Sequence, residues 1–204
     1  QSKTNIMISQ DGSKLFYNCY GTNNIQSYNL KSNWSISDIK YTGRSKILDN
    51  NSNVWIKSIY YKNDGTRLFA LASLSGNERL YQYDTTIPWH SDTITNTSNY
   101  ITLPFGDILS NSSSIQSQMT FNPTGDIVYI VSGTNNNIYR LFLNSPWNIN
   151  GGIASHDTVS VTDITQARGI YFKPDGTRVF ILDDQRRVRE YSLSTPWNVS
   201  TMSY

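Results

Sequence analysis

The residues that could do chemistry are few and scattered. His90 and His156 are the only histidines, the side chains best suited to proton transfer near neutral pH. His156 is followed directly by Asp157. Neighbours in a strand point to opposite faces, so this pair does not make a dyad. The acids fall at turns: Asp11, Asp64, Asp175, Asp183 and Asp184. Turn acids usually hydrogen-bond their own backbone. Asp183-Asp184 offers oxygen ligands to a cation, but without the spacing of an EF-hand loop. Cys19 is the single cysteine, which excludes an intrachain disulfide and a cysteine-based zinc site. It reads as a small apolar strand residue, since no base is identifiable beside it to make a reactive thiolate. No HExxH, nucleophile-elbow, phosphate-loop or dinucleotide glycine motif occurs. The expectation is a protein that is not an enzyme, with no catalytic residue, no metal ligand and no cofactor.

Candidates for binding are Trp55 and the basic run Arg186-Arg187-Val188-Arg189. The arginines are a solvated turn and strand end, or a docking patch for an anionic glycan or a protein. Five Asn-X-Ser/Thr sequons, at Asn33, Asn50, Asn96, Asn111 and Asn198, matter only in a glycosylating pathway.

The elements that must position these residues come from a repeat. Turn glycines Gly12, Gly65, Gly125 and Gly176 recur at intervals of 53, 60 and 51 residues. Tryptophans Trp34, Trp89, Trp147 and Trp197 recur at 55, 58 and 50. Two independent markers keep one period and one phase. Each unit reads as strand, Asp-Gly-type turn, strand, Asn/Gly turn, third strand and then a Trp corner. Looser segments after Trp34, Trp89 and Trp147 supply an outer fourth strand. The apolar run Val179-Phe180-Ile181-Leu182 suits a strand covered on both faces. No segment shows a capped 3.6-residue period, so almost no helix is expected.

Four-stranded antiparallel units of about 50 residues in series predict an all-β fold, a β-propeller whose blades cover one another's faces. The blades fall at about 1–49, 50–110, 111–163 and 164–204, within a single domain. The recurring tryptophan is expected to plug the seam between blades. Trp55 stands outside the repeat and is the better candidate for a surface role. Few residues follow Trp197, so the last blade is expected to be incomplete. The ring then has four blades, or the chain is half of a larger ring, completed by a second copy or by further blades. A chain that begins at Gln1 is read as processed or as a fragment.

Phe172-Lys173-Pro174-Asp175-Gly176-Thr177-Arg178-Val179-Phe180-Ile181-Leu182, followed by Val188-Arg189-Glu190-Tyr191-Ser192-Leu193-Ser194-Thr195-Pro196-Trp197, resembles the repeat of bacterial and phage propellers. Those are loosely related to the YVTN and WD40-like groups. The first repeat departs from it, with Gln10 in place of the turn proline and Asn33 in place of the proline before Trp34. The resemblance implies a propeller and is almost silent on activity.

Net charge is +2, with 16% charged and 13% aromatic residues. That supplies no broad electrostatic footprint for nucleic acid and argues against disorder. No run of about 18 apolar residues occurs, so no membrane insertion is expected. The composition, rich in Asn, Ser, Thr and Tyr, suits an exposed binding or structural module. Adhesion, receptor contact or glycan recognition on a virion (a phage tail, for example) or a cell surface is the expected role, in an extracellular or virion-surface setting. Two alternatives are an intracellular WD40-like scaffold for protein interaction and a propeller lactonase or hydrolase. Position-matched acids lie mostly in turns, which counts against the last.

Overall fold

The computed structural model describes residues 3–19, 24–47, 54–74, 77–95, 99–106, 108–109 and 116–204. The protein is an all-β chain of β-propeller class, with four blades of four antiparallel strands each. Blade 1 is β1 (Lys3–Ile8), β2 (Lys14–Cys19), β3 (Asn24–Leu30) and β4 (Ile39–Ile47). Blade 2 is β5 (Trp55–Tyr61), β6 (Arg67–Ser73), β7 (Arg79–Asp84) and β8 (Tyr100–Thr102). Blade 3 is β9 (Gln118–Phe121), β10 (Ile127–Val131), β11 (Asn137–Ser145) and β12 (Asn148–Ser160). Blade 4 is β13 (Ala167–Phe172), β14 (Arg178–Asp183), β15 (Val188–Leu193) and β16 (Met202–Ser203). Each sheet is a meander in chain order. The fourth blade does have its last strand, but it is only 2 residues long. Among the described residues the helical content is two single 3₁₀ turns, Ser91–Thr93 and Val199–Thr201.

The chain forms two compact units, 1–103 and 104–204. The first holds blades 1 and 2, the second blades 3 and 4.

The repeat's two sequence markers are one physical contact. Gly65 sits at φ 72°, in the left-handed region. Its N–H donates to the Lys62 carbonyl, and its own carbonyl accepts the Trp89 N–H at 3.0 Å. The Trp89 indole then lies over the glycine, so that an added Cβ would stand 2.5 Å from Cδ1. The same hydrogen bond joins Trp34 to Gly12, Trp147 to Gly125 and Trp197 to Gly176, at 2.8–2.9 Å. All four tryptophans pay for this fold-back with a positive φ of 57–64°. An L-residue avoids that region by about 1–2 kcal/mol.

Within each unit, one seam is built the same way. The residue four places after the turn glycine is aromatic in every blade: Phe16, Phe69, Tyr129 and Phe180. Phe16 of blade 1 packs on Tyr61 of blade 2, with ring centres 4.8 Å apart, and Tyr61 packs on Trp89 at 5.3 Å. Tyr129 of blade 3 packs on Phe172 of blade 4 at 4.6 Å, and Phe172 stacks on Trp197 at 4.9 Å. The Tyr129 hydroxyl also donates to the Trp197 carbonyl. A side-chain amide stitches the first strands: Asn5 Oδ1 accepts the Ile59 N–H at 3.2 Å, and Gln118 Oε1 accepts the Ile170 N–H at 2.9 Å. The tryptophan therefore does sit at the seam, but it is held there by its own blade's turn.

The expectation for Val179-Phe180-Ile181-Leu182 is corrected. The run does form strand β14, but only Val179 and Ile181 are buried, while Leu182 is 43% exposed. β6 and β10 carry the buried-on-both-faces pattern instead, with every residue after the first fully buried. An apolar run reports what a strand tolerates on its faces, and the neighbour decides whether both are covered.

Two substitutions separate steric closeness from backbone strain. Gly65→Ala is expected to destabilise by roughly 2–5 kcal/mol, the sum of the left-handed penalty and overpacking against the indole. Gly106 has a similar φ of 73° with nothing within 4 Å of an added Cβ. Gly106→Ala is expected to cost only about 1 kcal/mol. Urea unfolding of both variants measures the difference.

Candidate functional site

The turn acids are tied into their own turns. Asp64 accepts from the Thr66 N–H and hydroxyl at 3.0 and 2.6 Å, and Lys62 Nζ lies 2.7 Å away. Burial pushes its carboxyl up, but the hydrogen bonds from Lys62 and Thr66 outweigh this and hold it at about 2. Asp175 repeats the geometry with Thr177 and Lys173, whose hydrogen bond is the main cause of its lowered pKa. Asp11 is lowered chiefly by the Ser9 hydroxyl, then by the Ser13 N–H. In blade 3 the residue before the glycine is Thr124, and the acceptor role passes to Asn122 at the start of the turn, whose Oδ1 accepts from the Gly125 and Ile127 N–H groups.

Asp183 and Asp184 face different partners. Asp183 is buried, at 2% exposure. Burial raises its pKa, but the Arg187 N–H and guanidinium, with the Gln185 N–H, bring it below the ordinary aspartate value. Asp184 instead accepts from the Thr165 hydroxyl at 2.7 Å. Two of the clustered arginines are taken up by acids. Arg187 pairs with Asp183 at 2.8 Å, and Arg189 lies 3.6 Å from the same carboxylate, pairs with Asp163 at 3.2 Å and lies over the Tyr204 ring. Arg186 is exposed at a left-handed position, φ 63°. These residues do not converge on one basic patch.

Trp55 opens β5, is half-buried and stands opposite Ser73. His156 is exposed on β12, edge-on to Phe105. His90 is half-buried, 3.6 Å from Asp92. Asn33 Nδ2 donates to the Asp11 carbonyl, and Asn198 Oδ1 accepts from Arg140 and from the Ser200 N–H. The sequons at Asn50, Asn96 and Asn111 and the Cys19 side chain lie outside the described residues. Among the described residues no three His, Cys, Asp or Glu side chains are grouped to hold a metal ion, and no helix is long and apolar enough to cross a membrane.

Three polar features escaped the sequence reading. Arg140, only 7% exposed, forks onto Asp157, its cross-strand partner, and reaches Asn198 and Ser200 of the next blade at 2.9 and 2.7 Å. Lys57 and Glu78 are both buried, at 1% exposure. Burial lowers the Lys57 pKa to about 8, against the opposing field of Glu78. Finally, Tyr61 Oη and Ser91 Oγ are buried without a hydrogen-bond partner among the described residues. The matching positions in the second unit are Phe172 and Val199, both apolar.

What remains open is largely apolar. The face of blade 1 turned away from blade 2 exposes Ile6 at 66%, Ile39 at 44% and Tyr41 at 48%. With Tyr17, Tyr28, Leu15 and Ile36 it encloses a hollow of about 510 Å³. Tyr28 and Tyr41 pack at 5.2 Å, and Tyr41 donates to Gln26 at 2.6 Å. The face of blade 4 turned away from blade 3 exposes Tyr171 at 62%, Leu182 at 43% and Val188 at 67%, with Phe180 beside them.

No family model and no curated protein sequence matches the chain. Solved structures do, and all are similar in fold only. A functionally unknown protein from Desulfotomaculum acetoxidans shares 12% identity at a TM-score of 0.57, over 96% of this chain and 53% of the other. The Cps50 (Swd1) β-propeller domain of Myceliophteria thermophila shares 9% at 0.52, over 95% and 54%. The periplasmic gluconolactonase PpgL of Pseudomonas aeruginosa shares 13% at 0.51, over 93% and 49%. The chain spans about half the length of the structures it matches.

Two outcomes follow from these polar groups. The pKa of Asp64 is lower folded than unfolded, so its contribution is full above about pH 5 and is lost as pH falls through about 2. The stability gap between wild type and Asp64→Asn should therefore be widest above pH 5 and close toward pH 2, as followed by thermal melts. The gap is modest, because this carboxylate is half exposed and screened. The double change Tyr61→Phe with Ser91→Val, which copies the second unit, removes two orphaned hydroxyls. It should stabilise the chain by about 1–2 kcal/mol in urea unfolding.

Proposed function

We propose that this propeller is a non-enzymatic binding or structural module, working by surface contact with a protein or glycan at a virion or cell surface. The observation that carries this reading is the division of its side chains. The acids and two of the three clustered arginines are consumed by turns and seams, whereas the broad open surfaces are apolar and aromatic. Fixed carboxylates with lowered pKa are poor proton donors near pH 7. Grouped apolar surface with aromatic residues is the usual material of an interaction site. The low charge and the Asn-, Ser-, Thr- and Tyr-rich composition support an exposed setting.

The PpgL likeness makes lactone hydrolysis the activity to test against. Purified chain, assayed on lactones and glycosides with and without added divalent metal, is expected to give no turnover above buffer. A glycan array and a direct assay for protein contact are expected to give binding that falls when Leu182 or Tyr41 is replaced by Asp. Metal-dependent turnover would overturn the reading.

A further inference from the structure

The two open faces are the unmatched halves of the seam that the chain itself builds twice. On the face that a blade presents to the next one, the seams use the residue four places after the turn glycine, Phe16 and Tyr129. On blade 4 that position is Phe180, and it lies in the open face with Tyr171, Leu182 and Val188. On the receiving face, the seams use Ile59, Tyr61, Leu68, Ala70, Tyr83 and Trp89 in blade 2. By count from the turn glycine and by strand register, the same positions in blade 1 are Ile6, Ile8, Leu15, Tyr17 and Tyr28, with Trp34 at the corner. Of these, Ile6, Leu15, Tyr17 and Tyr28 line the hollow, and Ile8 is the cross-strand partner of Leu15. Trp34 is 63% exposed, whereas the other three repeat tryptophans are half-buried.

We infer that blade 4 of one copy docks on blade 1 of a second copy, and that two copies close head to tail into an assembly of eight blades. In this seam Phe180 meets Ile8 and Trp34 of blade 1, as Phe16 meets Tyr61 and Trp89. Each face is complementary to the other and not to itself, so the contact is heterologous and a pair has two identical seams. Closure covers both open faces, which is how propellers dispose of exposed sheet surface. The proposal rests on the reading of the open faces as contact surfaces and names their partner.

Sedimentation equilibrium of the chain at about 1–100 μM tests it. Wild type should run at twice the chain mass. Ile6→Asp on blade 1, and separately Leu182→Asp or Val188→Asp on blade 4, should each weaken pairing by at least about 30-fold, the effect of losing a central contact. All three positions are exposed, so far-UV circular dichroism and the unfolding midpoint of the separated chain should be unchanged. Mixing Ile6→Asp with Leu182→Asp leaves one seam with both halves intact, and a mixed pair should return. A wild-type monomer at 100 μM, an open series of larger oligomers, a dimer indifferent to these variants, or a mixture that does not pair would each overturn the proposal. A monomer that still binds a glycan or a different protein through these faces sinks the pairing alone. Metal-dependent lactone turnover sinks the functional reading beneath it.

Discussion

An indole lying on a glycine is the constraint from which the rest of each blade follows. The ring occupies the space of a Cβ, so the turn residue can only be glycine. To put it there, the tryptophan must fold back through a left-handed backbone and donate its N–H to the glycine carbonyl. That fixes where the chain leaves the third strand and therefore where the fourth begins. The indole also offers a flat surface to the aromatic residue four places before the glycine: Tyr61, Phe121 or Phe172. In the two seams within units, that aromatic receives the ring of the preceding blade. One contact thus links turn geometry to blade packing. It also supplies the favourable interaction that offsets four strained tryptophan backbones.

This contact explains why the fold was so legible. Glycine and tryptophan keep the same phase because they touch, and both are rare enough in the chain to be seen against its polar background. The meander order and the scarcity of helix followed from strand patterns and turn residues alone. The coverage of a particular strand did not. Val179-Phe180-Ile181-Leu182 and Leu68-Phe69-Ala70-Leu71 look alike on paper, yet β6 is buried throughout and β14 alternates. The difference lies in the neighbouring surface, which no strand encodes in itself.

The polar interior was illegible for a related reason. Lys57 and Arg140 are single charges inside apolar strands, with no period or motif to mark them. Arg140 needs Asp157, 17 residues away across a hairpin, and Asn198, 58 residues away in the next blade. In sequence, Asp157 is conspicuous only as the neighbour of His156, with which it shares no face. The arginine run shows the reverse error. Arg187 and Arg189 look like a free basic patch in sequence, but both are drawn to the buried Asp183, and Arg189 pairs with Asp163 as well.

Scattered exposed apolar residues need no explanation on a soluble domain. Most of those in this chain are not scattered. Ile6 and Leu182 stand at positions that the other blades bury, and they are open only on the faces that blades 1 and 4 turn away from their partners in each unit. Large open sheet faces of this kind are an aggregation hazard, which natural β proteins blunt with charge. On blade 4 the face carries one charged pair, Arg178 with Glu190, which stands directly opposite Phe180 and is neutralised by the arginine. The rest of the face, Tyr171, Phe180, Leu182 and Val188, is apolar. The chemistry of these two faces is that of an interior, and the matching positions show which interior: the seam between one blade and the next.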